Sequence, residues 1–354
     1  MTADTGSTPL MVWKVQAGPT AYEHLQQHGW NWHDFEVVIG ASAGPRWLVL
    51  SALDRVLAPL LQQRSTPLHL LGSSSGAYRF SAYVQSNPVQ ALQNLEQSYI
   101  DADWSPIRPQ NMIRESAVGI VRSFLERKPL DHPTYRLHIV TSLCHGWLAW
   151  PQKWAQIVAL LFGVALNAVS RQKLQYIVKR LLFSDPRNPL PARLHDLPTL
   201  KADLNEANHF DAILASGAIP VLIPGERDLQ GAPPGLLRDG GLVDYHFDQF
   251  HLHGEGLILY PHFSDSLQPG WLERYGRRRR IPREVLDRVV LLSPSQEWLK
   301  KLPGGRIPER EDAAHLGQRE RRRLWSESAR RGQDLAEGCL PDRFLQDLTI
   351  FPAD

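Results

Sequence analysis

Twice in quick succession this chain repeats one local pattern: a short apolar run, a turn of small residues, and a segment with helical spacing. Phe35-Glu36-Val37-Val38-Ile39 leads into Gly40-Ala41-Ser42-Ala43-Gly44-Pro45, and helical spacing follows in Trp47, Leu48, Leu50, Leu53, Val56 and Leu57. Pro45 suits the first turn of that helix, where its missing N–H costs nothing. Leu68-His69-Leu70-Leu71 then leads into Gly72-Ser73-Ser74-Ser75-Gly76, with a helix expected over residues 77–85. Strands that alternate with helices predict an α/β fold, with a mostly parallel central sheet between two helical layers. Further strands are expected at 136–141, 256–260 and 288–292, and helix at 311–336.

The 354 residues are 43% hydrophobic and 21% charged, which excludes a wholly disordered chain. A net charge of +2 gives no global signature of nucleic-acid binding, and none is expected. Cys144 and Cys339 stand in no metal-ligand spacing, so neither a disulfide scaffold nor a cysteine-based zinc site is expected. The amino terminus lacks a basic start followed by an apolar core, so a cytoplasmic protein is expected, touching a membrane at most peripherally.

Residues 151–183 are read as a helical insertion. The run Ala155 to Val169 is the most apolar in the chain, but it falls short of the ~20 residues that span a bilayer. The stretch 171–183 reads as an amphipathic helix, with Leu174, Ile177, Val178, Leu181 and Leu182 on one face and Arg171, Lys173, Lys179 and Arg180 on the other. Charge is also uneven: residues 271–331 hold 17 basic against 9 acidic side chains, including the run Arg277 to Arg280. That run and the 171–183 helix are the expected contacts to an anionic membrane.

Both small-residue turns fit G-x-S-x-G, where a serine is held on a tight strand-to-helix turn with its Oγ exposed. Such turns also arise simply because two backbones must approach closely. Two motifs cannot both supply the nucleophile, and local spacing does not choose between Ser42 and Ser74. Two further segments carry potential chemistry. Leu236-Leu237-Arg238-Asp239-Gly240-Gly241 puts a carboxylate on a tight turn, and Ala212-Ile213-Leu214-Ala215-Ser216-Gly217-Ala218-Ile219-Pro220 is read as a small-residue helix ending at a proline.

In this order the segments resemble the patatin-like phospholipase family, which carries a glycine-rich loop with a basic residue, then G-x-S-x-G, then A-S-x-A-x-P, then D-G-G. The resemblance covers about Phe35 to Gly241. It implies a three-layer α/β sandwich with Ser74 as nucleophile, Asp239 as its base, Gly72 and Gly76 framing the serine, and Gly240 and Gly241 completing the Asp turn. It implies an oxyanion hole at Ala43, Gly44 and Arg46. The corresponding organisation is an extension at 1–34, a catalytic domain at 35–262 and a basic, mainly helical section at 263–354. A lipid acyl hydrolase of phospholipase A or carboxylesterase type is expected, working through an acyl-enzyme without metal or organic cofactor. An acyltransferase using the same dyad, or a catalytically silent lipid binder, are the alternatives. The sequence departs from the family pattern in the first loop, where Ser42-Ala43-Gly44 replaces three glycines, and after the Asp turn, which continues Leu242-Val243-Asp244-Tyr245-His246. The histidines His246, His251, His253 and His262, with Glu255 and Asp265 nearby, are read as surface or strand-end residues rather than catalytic or metal-binding ones.

Overall fold

A computed structural model describes residues 11–126, 131–268, 270–272 and 281–352. The Arg277 to Arg280 run lies outside the described residues. The strands are β1 (Trp13–Ala17), β2 (Phe35–Gly40), β3 (Leu68–Ser73), β4 (Tyr135–Cys144), β5 (Val178–Ser184), β6 (Ala192–Leu194), β7 (Thr199–Asp203), β8 (Glu226–Arg227), β9 (Leu236–Asp239), β10 (Phe250–Leu252), β11 (Leu257–Pro261), β12 (Val289–Pro294) and β13 (Leu348–Ile350). Eleven of them form one sheet in the order β13-β1-β12-β11-β2-β3-β4-β5-β7, with β9 on β4 and β8 on β9. The inner run β12-β11-β2-β3-β4 is parallel throughout. Every residue of β3, β4, β11 and β12 is buried, as helices on a parallel sheet require.

Helices α1 (Pro19–His28), α2 (Ser51–Leu61), α3 (Ser75–Tyr83), α4 (Pro88–Asp101), α5 (Gln110–Phe124), α6 (Lys153–Val169) and α7 (His209–Ser216) precede the Asp turn. After it come α8 (Arg283–Leu286), α9 (Gln296–Leu299), α10 (Asp312–His315), α11 (Gln318–Glu337) and α12 (Pro341–Gln346). The fold is α/β, a large and mostly parallel sheet flanked by helices. The sheet draws strands from both sides of the 35–262 span, because β1 pairs with β12 and β13. The helix expected over 311–336 is broken at Leu316 and Gly317 into α10 and α11.

One expected helix is a strand. Over 171–183, a short 3-10 turn (Arg171–Tyr176) gives way to β5, which pairs with β4 across seven residues and with β7 on its other side. The arginines read as a solvent-facing stripe are buried: Arg180 makes a two-pronged ion pair with Asp244, at 2.6 and 2.7 Å, and also reaches Asp196. Arg171 likewise pairs with Asp196. Val-Lys-Arg-Leu-Leu-Phe-Ser fits a helical stripe and a strand equally well on local spacing. Acidic partners brought in from distant segments make burying the arginines tolerable and decide the matter.

A second buried pair sits between the two helices that follow the glycine turns. Arg79 on α3 grips both carboxylate oxygens of Asp54 on α2 at 2.7 Å, and Tyr83 Oη donates to the same carboxylate at 2.8 Å. This fixes the helix that follows Ser74 against its neighbour.

Candidate active site

The edge of β4 is shared by two strands that approach from opposite directions. β3 runs parallel to β4 and stops with Ser73 opposite Val140. From the next residue β9 takes over that edge antiparallel, its last residue Asp239 opposite Thr141. The carboxyl ends of β3 and β9 therefore meet, and Ser74 Oγ donates a hydrogen bond to Asp239 Oδ2 at 2.9 Å.

Ser74 sits at φ 53°, ψ −123°, a conformation that non-glycine residues rarely adopt and that costs on the order of 1–3 kcal/mol. Three contacts hold it there. Its N–H donates to Ser216 Oγ at 2.9 Å, and Ser216 Oγ in turn donates to the Val140 carbonyl at 2.7 Å. The Ala77 N–H donates to the Ser74 carbonyl at 2.9 Å. Gly76 allows the turn to press on β2, since a Cβ there would lie 2.0 Å from the Gly40 carbonyl oxygen. The small-residue helix α7 thus contributes directly to the turn, because its Ser216 clamps the serine backbone.

The other G-x-S-x-G is a different object. Ser42 is not among the described residues with positive φ, and its Oγ donates to Ser73 Oγ at 2.9 Å rather than to a carboxylate.

Asp239 is nearly buried, at 6% exposure, and burial pushes its carboxyl up from 3.8 to about 6. The Gly241 N–H, which donates to Oδ1 at 2.7 Å, the positive charge of Arg310 and the Ser74 hydroxyl all pull the other way. The carboxylate therefore titrates close to neutrality, in the range where a general base works best.

Of the three residues assigned to an oxyanion loop, only Gly44 lines the cavity that holds Ser74 and Asp239. The Ala43 N–H is committed to Ser75 Oγ at 2.9 Å. Arg46 turns to Glu309 at 3.2 Å and over the Phe263 ring at 5.5 Å. Gly44 stands at φ 56°, where a side chain would be strained, and opens a 3-10 helix. Arg310, next to the residue Arg46 holds, is the cation that lines the cavity. No local pattern in the sequence marks it; it is one arginine among many in an Arg-rich section.

The cavity is lined by Ser42, Gly44, Pro220, Tyr245, Trp271 and Arg310 and opens to solvent. A second, mostly apolar pocket also opens on Ser74 and is walled by Tyr78, Tyr99, Trp104, Leu222 and Trp325. None of the four histidines downstream of Asp239 lines either space. His246 and His262 pack edge to face at 4.4 Å, and burial pushes the His262 ring down to about 3. His251 lies on β10, against His195, and Asp265 is taken by Lys14 at 2.7 Å. The Leu242–His246 continuation after the Asp turn also has a structural role, since Asp244 is the partner of Arg180.

No protein-family model matches this chain, and no curated protein matches it. Among solved structures, VipD from Legionella pneumophila is similar at 10% identity, with 99% of this chain and 77% of VipD covered and a TM-score of 0.34.

Proposed function

We propose that the chain is a serine hydrolase acting on carboxylic esters of lipids, of phospholipase A or carboxylesterase type. The observation that carries this reading is the 2.9 Å bond from Ser74 Oγ, on its strained turn, to the buried Asp239 carboxylate. Ser74 Oγ attacks the acyl carbonyl as its proton passes to Asp239. Collapse of the tetrahedral intermediate breaks the ester C–O bond, and Asp239 returns the proton to the departing alcohol. Water gives a proton to Asp239 as it attacks the acyl carbonyl, the Ser74 Oγ–acyl bond breaks, and Asp239 returns the proton to Oγ as the fatty acid leaves. In the first turn of α3 the N–H groups of Ala77 and Tyr78 are taken by the Ser74 carbonyl, whereas those of Ser75 and Gly76, and that of Gly44 at the start of its 3-10 helix, precede the first intrahelical bonds. They are the donors available to the oxyanion, aided by the α3 dipole. The apolar lining of the second pocket suits an acyl chain, and Arg310, which lines both pockets, suits an anionic head group.

Fluorophosphonate labelling with peptide mapping tests the assignment. A single adduct on Ser74 is expected. An adduct on Ser42 would reverse the roles of the two turns, and a folded protein with no adduct would leave a silent lipid binder as the better reading.

Arg310 supplies a second test. Its charge holds the Asp239 carboxyl lower than burial alone would leave it. Arg310→Gln should therefore move the acid limb of kcat/KM to higher pH, because more base is needed to ionise Asp239. An unmoved limb in a folded variant would remove Arg310 from the site's electrostatics.

A further inference from the structure

Helix α6 is built inside out. Its inward stripe, Ala155, Ala159 and Gly163, is small and buried, and a Cβ at Gly163 would stand 2.8 Å from Ile177. Its outward stripe is large and apolar: Trp154, Ile157, Val158, Leu161 and Phe162 are 39–65% exposed. A surface helix of a globular protein shows the reverse arrangement. The 3-10 turn Gly146–Ala149 and the residue after it add two more half-exposed indoles, Trp147 and Trp150. A contiguous exposed apolar face of this kind marks a contact surface.

Charge identifies the partner. No Asp or Glu occurs from His132 to Ser184, whereas the exposed Lys153 and Lys173 flank the helix. Indoles concentrate at the interface of a bilayer, where the ring is half apolar and half wet, and lysines favour anionic head groups. No described helix is long and apolar enough to cross a membrane, and a helix with one large apolar face and a flanking lysine can lie in the interfacial plane.

The location of α6 connects this face to the cavity. The Val221 N–H donates to Gln156 Oε1 at 2.6 Å, beside the cavity-lining Pro220. On the other side, Leu272 approaches Gly163 next to the cavity-lining Trp271. We propose that the outer face of α6, with Trp147 and Trp150, docks into the surface of an anionic lipid bilayer and brings the rim of the Ser74 cavity against it. This surface replaces the 171–183 helix expected from the sequence.

The test is co-flotation of the whole chain with unilamellar vesicles of phosphatidylcholine, with and without phosphatidylglycerol. Binding is expected, and it should be tighter with phosphatidylglycerol. Leu161→Gln with Phe162→Gln changes only exposed side chains, so the fold should persist; partition should fall by on the order of a hundredfold. Lys153→Glu with Lys173→Glu should abolish the phosphatidylglycerol preference. Equal flotation of the wild type and the Leu161/Phe162 variant, or no flotation of the wild type, would overturn the proposal. So would a wild-type dimer in light scattering that the Leu161/Phe162 variant dissolves without change in flotation, since the face would then belong to a second copy. Flotation is scored in a Ser74→Ala background, so the result stands whether or not the hydrolase reading does. In the active chain, the Leu161/Phe162 variant should keep its turnover of a water-soluble ester and lose turnover of vesicle lipid.

Discussion

Asp239→Asn is expected to lower turnover of a chromogenic ester by about 10²- to 10⁴-fold, the usual contribution of a general base, and to make the protein more stable at neutral pH. The two effects share one cause. Burial raises the carboxyl from 3.8 to about 6, so the folded state holds the proton more tightly than the unfolded chain does. Ionised Asp239 therefore opposes folding. The penalty is absent below pH ~4, grows as pH rises to about 6 and is fully present above that, at about 2–3 kcal/mol for a shift of this size. Asparagine keeps a carbonyl for the Gly241 N–H and removes the charge. The stability gain of Asp239→Asn, read from urea unfolding, should accordingly be small at pH 4 and largest at pH 8. In the wild type, kcat/KM should rise with pH through a midpoint near about 6. A gain that is the same at both pH values would show that the Asp239 charge does not oppose folding, and an unchanged rate would show that Asp239 is not the base.

The largest loss of stability is expected at Arg180. Its guanidinium is fully buried in β5 and bonded to both oxygens of Asp244, with Asp196 at 3.0 Å. Arg180→Leu leaves Asp244 in the interior without its bidentate partner, which should cost about 3–5 kcal/mol. Activity should fall too, because this pair fixes the loop behind Asp239. The Asp244 N–H donates to the Gly240 carbonyl, and the adjacent Tyr245 carbonyl accepts from the Ser42 N–H, both at 2.9 Å. Arg180→Leu with Asp244→Leu should be less destabilised than Arg180→Leu alone, since the stranded charge is gone. A double-mutant cycle in urea measures this. A loss below about 1 kcal/mol for the single variant would mean that water reaches the pair.

Much of the fold is legible locally. The apolar runs at 35–39 and 68–71 and the small-residue turns after them announce strand, turn and helix, because each depends on contacts within a few residues. The strands expected at 136–141, 256–260 and 288–292 lie within β4, or overlap β11 and β12. The same local code fails where a partner is far away. Residues 178–184 carry apolar spacing that fits helix or strand, and pairing with β4 on one side and β7 on the other, with the Arg180–Asp244 pair, settles it. The sequence also marks 155–169 as apolar, but not that Ala155 and Gly163 would turn inward while Leu161 and Phe162 face solvent.

The candidate site divides in the same way. Sequence alone determined that two serines lie on tight glycine turns and that one aspartate sits on a third, because small residues at fixed spacing are a local requirement of the backbone. Local spacing left the choice of serine open, and the order of the segments pointed to Ser74 only through the family resemblance. Tertiary structure is what brings Ser74 into contact with the aspartate. Ser74 and Asp239 are 165 positions apart, and they touch because β3 and β9 end head to head on one edge of β4. Arg310, the commitment of the Ala43 N–H to Ser75 and the turn of Arg46 away to Glu309 are decided there as well. Each is a matter of which distant groups share one small volume, and spacing along the chain carries no record of that.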